Sequence, residues 1–142
     1  MKFNIAFFTH IGTEREVNQD RILVQHKILK DGLDFFSNEF YCYCFLADGI
    51  GGRPSGDLAA QILLEQINKR IDINGDLSHP HLLKILKSIN EDLIQYGINN
   101  SKHRGMGSTL VGLIIKDDQF VLINAGDSQV WIYRNDLFFK LT

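Results

Sequence analysis

The chain has 142 residues, of which 44% are hydrophobic, 23% charged and 11% aromatic, the composition of one globular domain rather than of a disordered or fibrous chain. Fifteen Lys and Arg against 17 Asp and Glu leave a net charge of −2, which excludes the basic footprint of nucleic-acid binding. No apolar run approaches the roughly 18 residues of a membrane span, and Met1-Lys2-Phe3-Asn4-Ile5 lacks the apolar region of a signal peptide, so the cytoplasm is the expected location and neither nucleic acid nor membrane is an expected partner.

In chain order, residues 1–10, 21–29 and 40–47 are rich in Phe, Ile, Leu and Val and read as three strands. Asp31-Gly32 is a turn signal between the second and third, and polar Ser37-Asn38-Glu39 keeps that connection at the surface, so a hairpin is expected there. Ala59, Ala60, Leu63, Leu64, Ile67 and Ile71 then recur at three-and-four spacing, the mark of an amphipathic helix. Ser78-His79-Pro80 offers a cap and an early proline for a second helix carrying Leu82, Leu83, Leu86, Ile89, Leu93 and Ile94 and ending near Gly97. Residues 109–115, 120–125 and 130–134 read as three strands of a meander, and Asn135-Asp136 turns the chain into Leu137–Leu141. Strands, two antiparallel helices, then strands define an α+β architecture with antiparallel sheets rather than alternating βαβ units. Residues 1–142 are expected to form one domain.

Cys42 and Cys44 sit two apart on a strand, pointing to one face, a spacing at which they cannot easily bridge each other; they read as core thiols. The five histidines form no H-x-x-x-H pair, and neither a G-x-S-x-G elbow nor a Walker-type Gly-Lys-Ser/Thr stretch occurs, so zinc chemistry, acyl transfer and P-loop hydrolysis fit poorly.

The most unusual segment is Leu46-Ala47-Asp48-Gly49-Ile50-Gly51-Gly52, where an apolar strand delivers a carboxylate followed by three glycines. A carboxylate leaving an apolar strand needs a cation, a metal or several hydrogen bonds, and Mg²⁺ or Mn²⁺ prefers oxygen ligands; an Asp-Gly turn is the plainer alternative. The glycines do not give G-x-G-x-x-G, which argues against a dinucleotide loop. Arg15-Glu16-Val17-Asn18-Gln19-Asp20 places a guanidinium, suited to phosphate, near a second carboxylate, although both also read as solvated loop charges. Convergence of Asp20 and Asp48 with Arg15 would assemble groups able to hold hydrated metals beside a phosphate ester. Gly126-Asp127-Ser128 is on its own a tight turn between strands.

Taken in order, Arg15 to Asp20, Ala47 to Gly52, Gly105 to Leu110 and Asn124 to Arg134 resemble the four motifs of the metal-dependent protein phosphatases, the PPM or type 2C serine/threonine phosphatase family, in its bacterial form. The resemblance implies a β-sandwich flanked by helices, two Mn²⁺ or Mg²⁺ ions, and hydrolysis of phosphoserine or phosphothreonine in a protein substrate by a metal-activated water. It implies that Asp48 bridges the metals, that Gly49 offers its backbone carbonyl, that Asp20 acts through metal-bound water, that Arg15 binds the substrate phosphate, and that Asp127 lies near a weaker third metal. Gln19 departs from the family's Glu, and Ile50 stands where bacterial relatives carry Met. The family's later aspartate motifs have no counterpart in these 142 residues, so the chain is expected to be the N-terminal portion, with an incomplete metal site and uncovered sheet edges open to association. The alternative reading is a catalytically incomplete, phosphatase-like binding or regulatory module.

Overall fold

The computed structural model describes residues 1–50 and 55–142; the expected glycine-rich stretch at 51–54 lies outside the described residues. In chain order the elements are β1 (Phe3–Thr9), β2 (Asp20–Val24), β3 (Lys27–Leu29), β4 (Gly32–Glu39), β5 (Tyr41–Ile50), α1 (Gly56–Arg70), α2 (His79–Asn99), a short 3-10 turn at Ser101–His103, β6 (Gly107–Ser108), β7 (Leu110–Lys116), β8 (Gln119–Ala125), β9 (Trp131–Arg134) and β10 (Leu137–Lys140). All strand pairs are antiparallel, and the central sheet runs β3-β2-β5-β7-β8 with β6 paired to the end of β5. The expected α+β class with antiparallel sheets is the observed one.

The two faces of the central sheet bury different partners, as the two-residue period of a strand requires. Leu23, Tyr43, Phe45 and Ala47 join Ala59, Ala60, Leu63, Leu64 and Ile67 of α1 and Leu82, Ile89 and Leu93 of α2 in the main core. The alternate residues Ile22, Val24, Cys44 and Leu46 face a two-stranded ribbon of β1 and β4, against Ile5, Phe7 and Phe36. Gly112 of β7 stands opposite Phe45 of β5, and a Cβ there would lie 2.3 Å from the Phe45 ring. A glycine is therefore what admits a fully buried aromatic at the centre of the sheet.

Three expectations are corrected. Residues 21–29 are two strands, because the chain folds back at Gln25 and His26, both with positive φ (47° and 72°), the geometry of a two-residue hairpin turn. The Gln25 side chain closes that turn onto β5, accepting from the Tyr43 N–H at 3.0 Å and donating to the Tyr41 carbonyl at 2.9 Å. Residues 32–39, expected as a hairpin connection, form β4, which pairs with β1 in the register Ile5↔Phe36 and Phe8↔Leu33 and stacks Phe36 on Phe7 with ring centroids 5.9 Å apart. Residues 130–134 do not extend the β7–β8 meander. β9 pairs with β10 in a separate ribbon whose eight residues are all exposed, turning at Asn135 and Asp136 with φ of 52° and 60°.

Candidate metal and phosphate site

The β2–β5 register sets Asp20 directly opposite Asp48. The strand carrying Asp48 runs through Ile50 rather than stopping at Ala47, so the carboxylate projects from a paired strand and not from a loose turn. Its backbone is fixed on the β6 side: the Asp48 N–H donates to Thr109 Oγ1 at 3.1 Å, and its carbonyl accepts from the Thr109 N–H at 2.9 Å and the Ser108 hydroxyl at 3.0 Å.

The loop before β2 is held by Asn18. Its amide donates to Thr9 Oγ1 at 2.9 Å and to the Lys30 carbonyl at 3.0 Å, while its Oδ1 accepts from the Asp20 N–H at 3.1 Å. Arg21, only 7% exposed, clamps the same loop from beneath. It donates to the Asn18 and Asp20 carbonyls at 2.7 and 2.8 Å and to Gln61 Oε1 at 3.2 Å, and it pairs with Asp57 at 3.8 Å, fastening the loop to α1. Sequence reading passed over Arg21, although a charged residue within Asp20-Arg21-Ile22-Leu23-Val24 signals a cation on a buried strand face.

Arg15, Asp20 and Asp48 line one cleft of about 210 Å³ together with His10, Ile11, Val17, Asn18 and Gln19. His10 is a lining residue that no spacing in the sequence marked; its Nδ1 accepts from the Gly12 N–H at 3.0 Å. Burial, and then the facing Asp48 carboxylate with its hydrogen bond, push the Asp20 carboxyl above its ordinary value, with Arg21 only partly opposing. Two facing carboxylates that resist sharing negative charge suit a hard divalent cation with oxygen ligands and retained waters. Among the described residues no group of three or more His, Cys, Asp or Glu is placed to hold a metal, so Asp20 and Asp48 stand as a pair. Arg15 is exposed and makes no hydrogen bond or ion pair with a described residue, leaving its guanidinium available to an anion.

The other two expected site residues do not line the cleft. Gly49 is buried against the start of α1, where a Cβ would lie 2.0 Å from the Gly56 carbonyl oxygen, and its own N–H donates to the Gln19 carbonyl at 3.3 Å. Asp127 is exposed in the turn after β8. That turn is nonetheless tied to the Asp48 backbone, since Ser128 Oγ lies 3.0 Å from Thr109 Oγ1.

Residues 12–141 match the profile of the family described as protein phosphatase 2C. The chain belongs to that family. Among protein phosphatase 2C relatives, it is 29% identical over 132 residues to the serine/threonine phosphatase stp of Listeria innocua, covering 89% of this chain and 52% of that protein. It is 29% identical over 145 residues to the protein phosphatase PhpP of Streptococcus pneumoniae, covering 97% of this chain and 53% of the relative. The fold matches the catalytic domain of the serine/threonine protein phosphatase PstP, solved in complex with two manganese ions, with a TM-score of 0.74 and 20% identity over 99% of this chain and 54% of that one. The chain spans about half the length of the curated relatives it matches.

Proposed function

We propose that residues 1–142 form one partial protein phosphatase 2C domain that works in metal-dependent hydrolysis of phosphoserine or phosphothreonine in proteins. The observation that carries this reading is the facing of Asp20 and Asp48 in the cleft that Arg15 also lines. Asp20 and Asp48 are the residues that hold Mn²⁺ or Mg²⁺, and the two manganese ions of the PstP structure support that choice of ion. When bound, such ions supply a water of lowered pKa as nucleophile and offset charge on the phosphoryl oxygens.

The chain's own residues do the positioning. Arg15 offers a planar pair of N–H donors to two phosphate oxygens. Thr109 and Ser108 hold the Asp48 backbone, while Asn18 and Arg21 hold that of Asp20, so the main chain that carries the two carboxylates is fixed on both strands. Gly49 and Asp127 take supporting places in this reading, the first by seating α1 against β5 and the second at the outlying turn. Two free thiols support a cytoplasmic address.

The test is release of phosphate from a phosphothreonine peptide with and without Mn²⁺, alongside calorimetric Mn²⁺ binding. Mn²⁺-dependent release that is abolished in Asp48→Asn is expected, and a rate unchanged by that substitution overturns the assignment.

A further inference from the structure

Cys42 and Cys44 lie on the same face of β5 as Asp48, and both are free. Their sulfurs stand 3.3 Å apart and share a hydrogen bond. The surroundings are apolar: Cys44 is paired with Val24 on β2 and Leu113 on β7, Cys42 is paired with Ile115, and Cys44 opens on a groove lined by Ile5, Phe7 and Leu46. Hydrogen bonding from Cys44 lowers the Cys42 thiol below its ordinary value, while the same bond and burial raise Cys44, so the pair releases its first proton readily and its second reluctantly.

A disulfide fits this geometry badly. Residues two apart on an extended strand have Cα atoms roughly 6.4–6.8 Å apart, at the outer limit for a disulfide and well beyond its usual 5.5–6 Å. Closing the bond would buckle β5 between β2 and β7, which pair with it on either side. A bridging ion asks for the opposite movement. With metal–sulfur bonds of about 2.3 Å, two sulfurs on opposite sides of one ion stand about 4–5 Å apart, wider than the 3.3 Å that separates these two. Thiolates select soft ions, and the choice among these follows from ligand number. Zinc wants four ligands and the site supplies two, among apolar neighbours that add none.

We infer that Cys42 and Cys44 form a dithiolate site for a soft, two-coordinate cation of the copper(I) class, separate from the hard oxygen site about 13 Å along the same strand. Binding converts two thiols and one Cu⁺ into a bis-thiolate anion and releases two protons, with no change of oxidation state. Because Cys44 is half-buried at an open groove, the complex keeps one side towards solvent.

The experiment is anaerobic titration of the chain with Cu⁺ against a coloured copper(I) chelator, with thiols counted by a disulfide reagent before and after loading. One equivalent bound per chain and protection of both thiols are expected. Cys44→Ser, a near-isosteric change at a half-buried position, is expected to weaken Cu⁺ binding at least 100-fold, while a large excess of Mn²⁺ displaces none. Absence of Cu⁺ binding by the wild-type chain overturns the inference, as does unchanged affinity in Cys44→Ser. If that variant fails to fold by circular dichroism, thiol protection in the wild-type chain decides, and thiols that stay reactive after loading count against the site.

Discussion

Asp20 and Asp48 face each other directly across β2 and β5, two like charges at one cross-strand position; among the described residues the neighbouring cation is Arg21, which is engaged by the Asn18 and Asp20 carbonyls, Gln61 and Asp57. Like charges so placed oppose folding by about 0.2–1 kcal/mol. Asp20→Asn is therefore expected to raise the melting temperature of the metal-free chain at pH 7 by about 1–4 °C while weakening Mn²⁺ binding at least tenfold. Calorimetric scans of both proteins with and without Mn²⁺ check the pair of effects; a variant that gains stability and keeps its metal removes Asp20 from the site.

The same pair sets a pH dependence. Because the folded chain raises the Asp20 pKa, the folded state binds the proton more tightly than the unfolded chain does. This contribution to stability is present below the ordinary carboxylate value of about 3.9 and is lost as pH rises through the raised value. Urea unfolding of the metal-free chain at increasing pH above about 4 is expected to show this downward term, and Asp20→Asn to lack it. A slope identical in both proteins contradicts the assignment to Asp20.

Arg21 is a structural clamp whose loss is felt at the cleft. Arg21→Met keeps much of the stem but leaves the Asn18 and Asp20 carbonyls without their donor, and is expected to cost about 2–4 kcal/mol in urea unfolding. Arg21→Lys recovers little, since one ammonium cannot span the two carbonyls, Gln61 and Asp57 together. Equal stability of the lysine variant and the wild-type chain would show that the fork geometry is immaterial.

Arg15 gives the contrasting case. Exposed and without a partner among the described residues, it is expected to be replaceable by alanine with less than about 0.5 kcal/mol change in stability. Affinity for inorganic phosphate or a phosphopeptide falls about tenfold, the scale of a charge-assisted hydrogen bond, and Mn²⁺ affinity is retained. Calorimetric titration of each ligand separates the two; phosphate binding that survives intact moves the anion site elsewhere.

Gly112 and Phe45 form a size-matched pair. Gly112→Ala drives a methyl into the ring and is expected to destabilise the chain by about 1–3 kcal/mol. Phe45→Leu is costly alone and less costly in the alanine background, a non-additivity that a double-mutant cycle in urea measures. Strict additivity would mean that the two positions do not share the space.

Much of this was legible in the sequence because it is local. The helix periodicity of residues 59–71 and 82–97 and the strand run at Phe40–Ala47 reflect faces that each element must bury by itself. β4 was not legible: Asp31-Gly32 and Ser37-Asn38-Glu39 carry turn chemistry, and only pairing with distant β1 makes the segment a strand. Asp20 and Asp48 could be named as candidates, but their opposition depends on the β2–β5 register between strands that no short turn joins, which Gln25 fastens through Tyr41 and Tyr43 of β5. Arg21 and His10 went unmarked because the fold brings Gln61 and Asp57 to the one and the cleft of Asp20 and Asp48 to the other, which no spacing announces.

The hydrogen bonds at Asp48 also bear on the order of events at the cleft. Its amide is engaged by Thr109 and its strand is paired on both edges, so amide exchange there should require sub-global opening, whereas the Arg15 side chain still has its full set of rotamers to lose, about 1.5–2 kcal/mol of entropy. The backbone beneath Asp48 is thus fixed in advance, while the Arg15 side chain is not. An anion that the proposed site bound would therefore have to arrest the arginine, whereas the strand that carries Asp48 is already held.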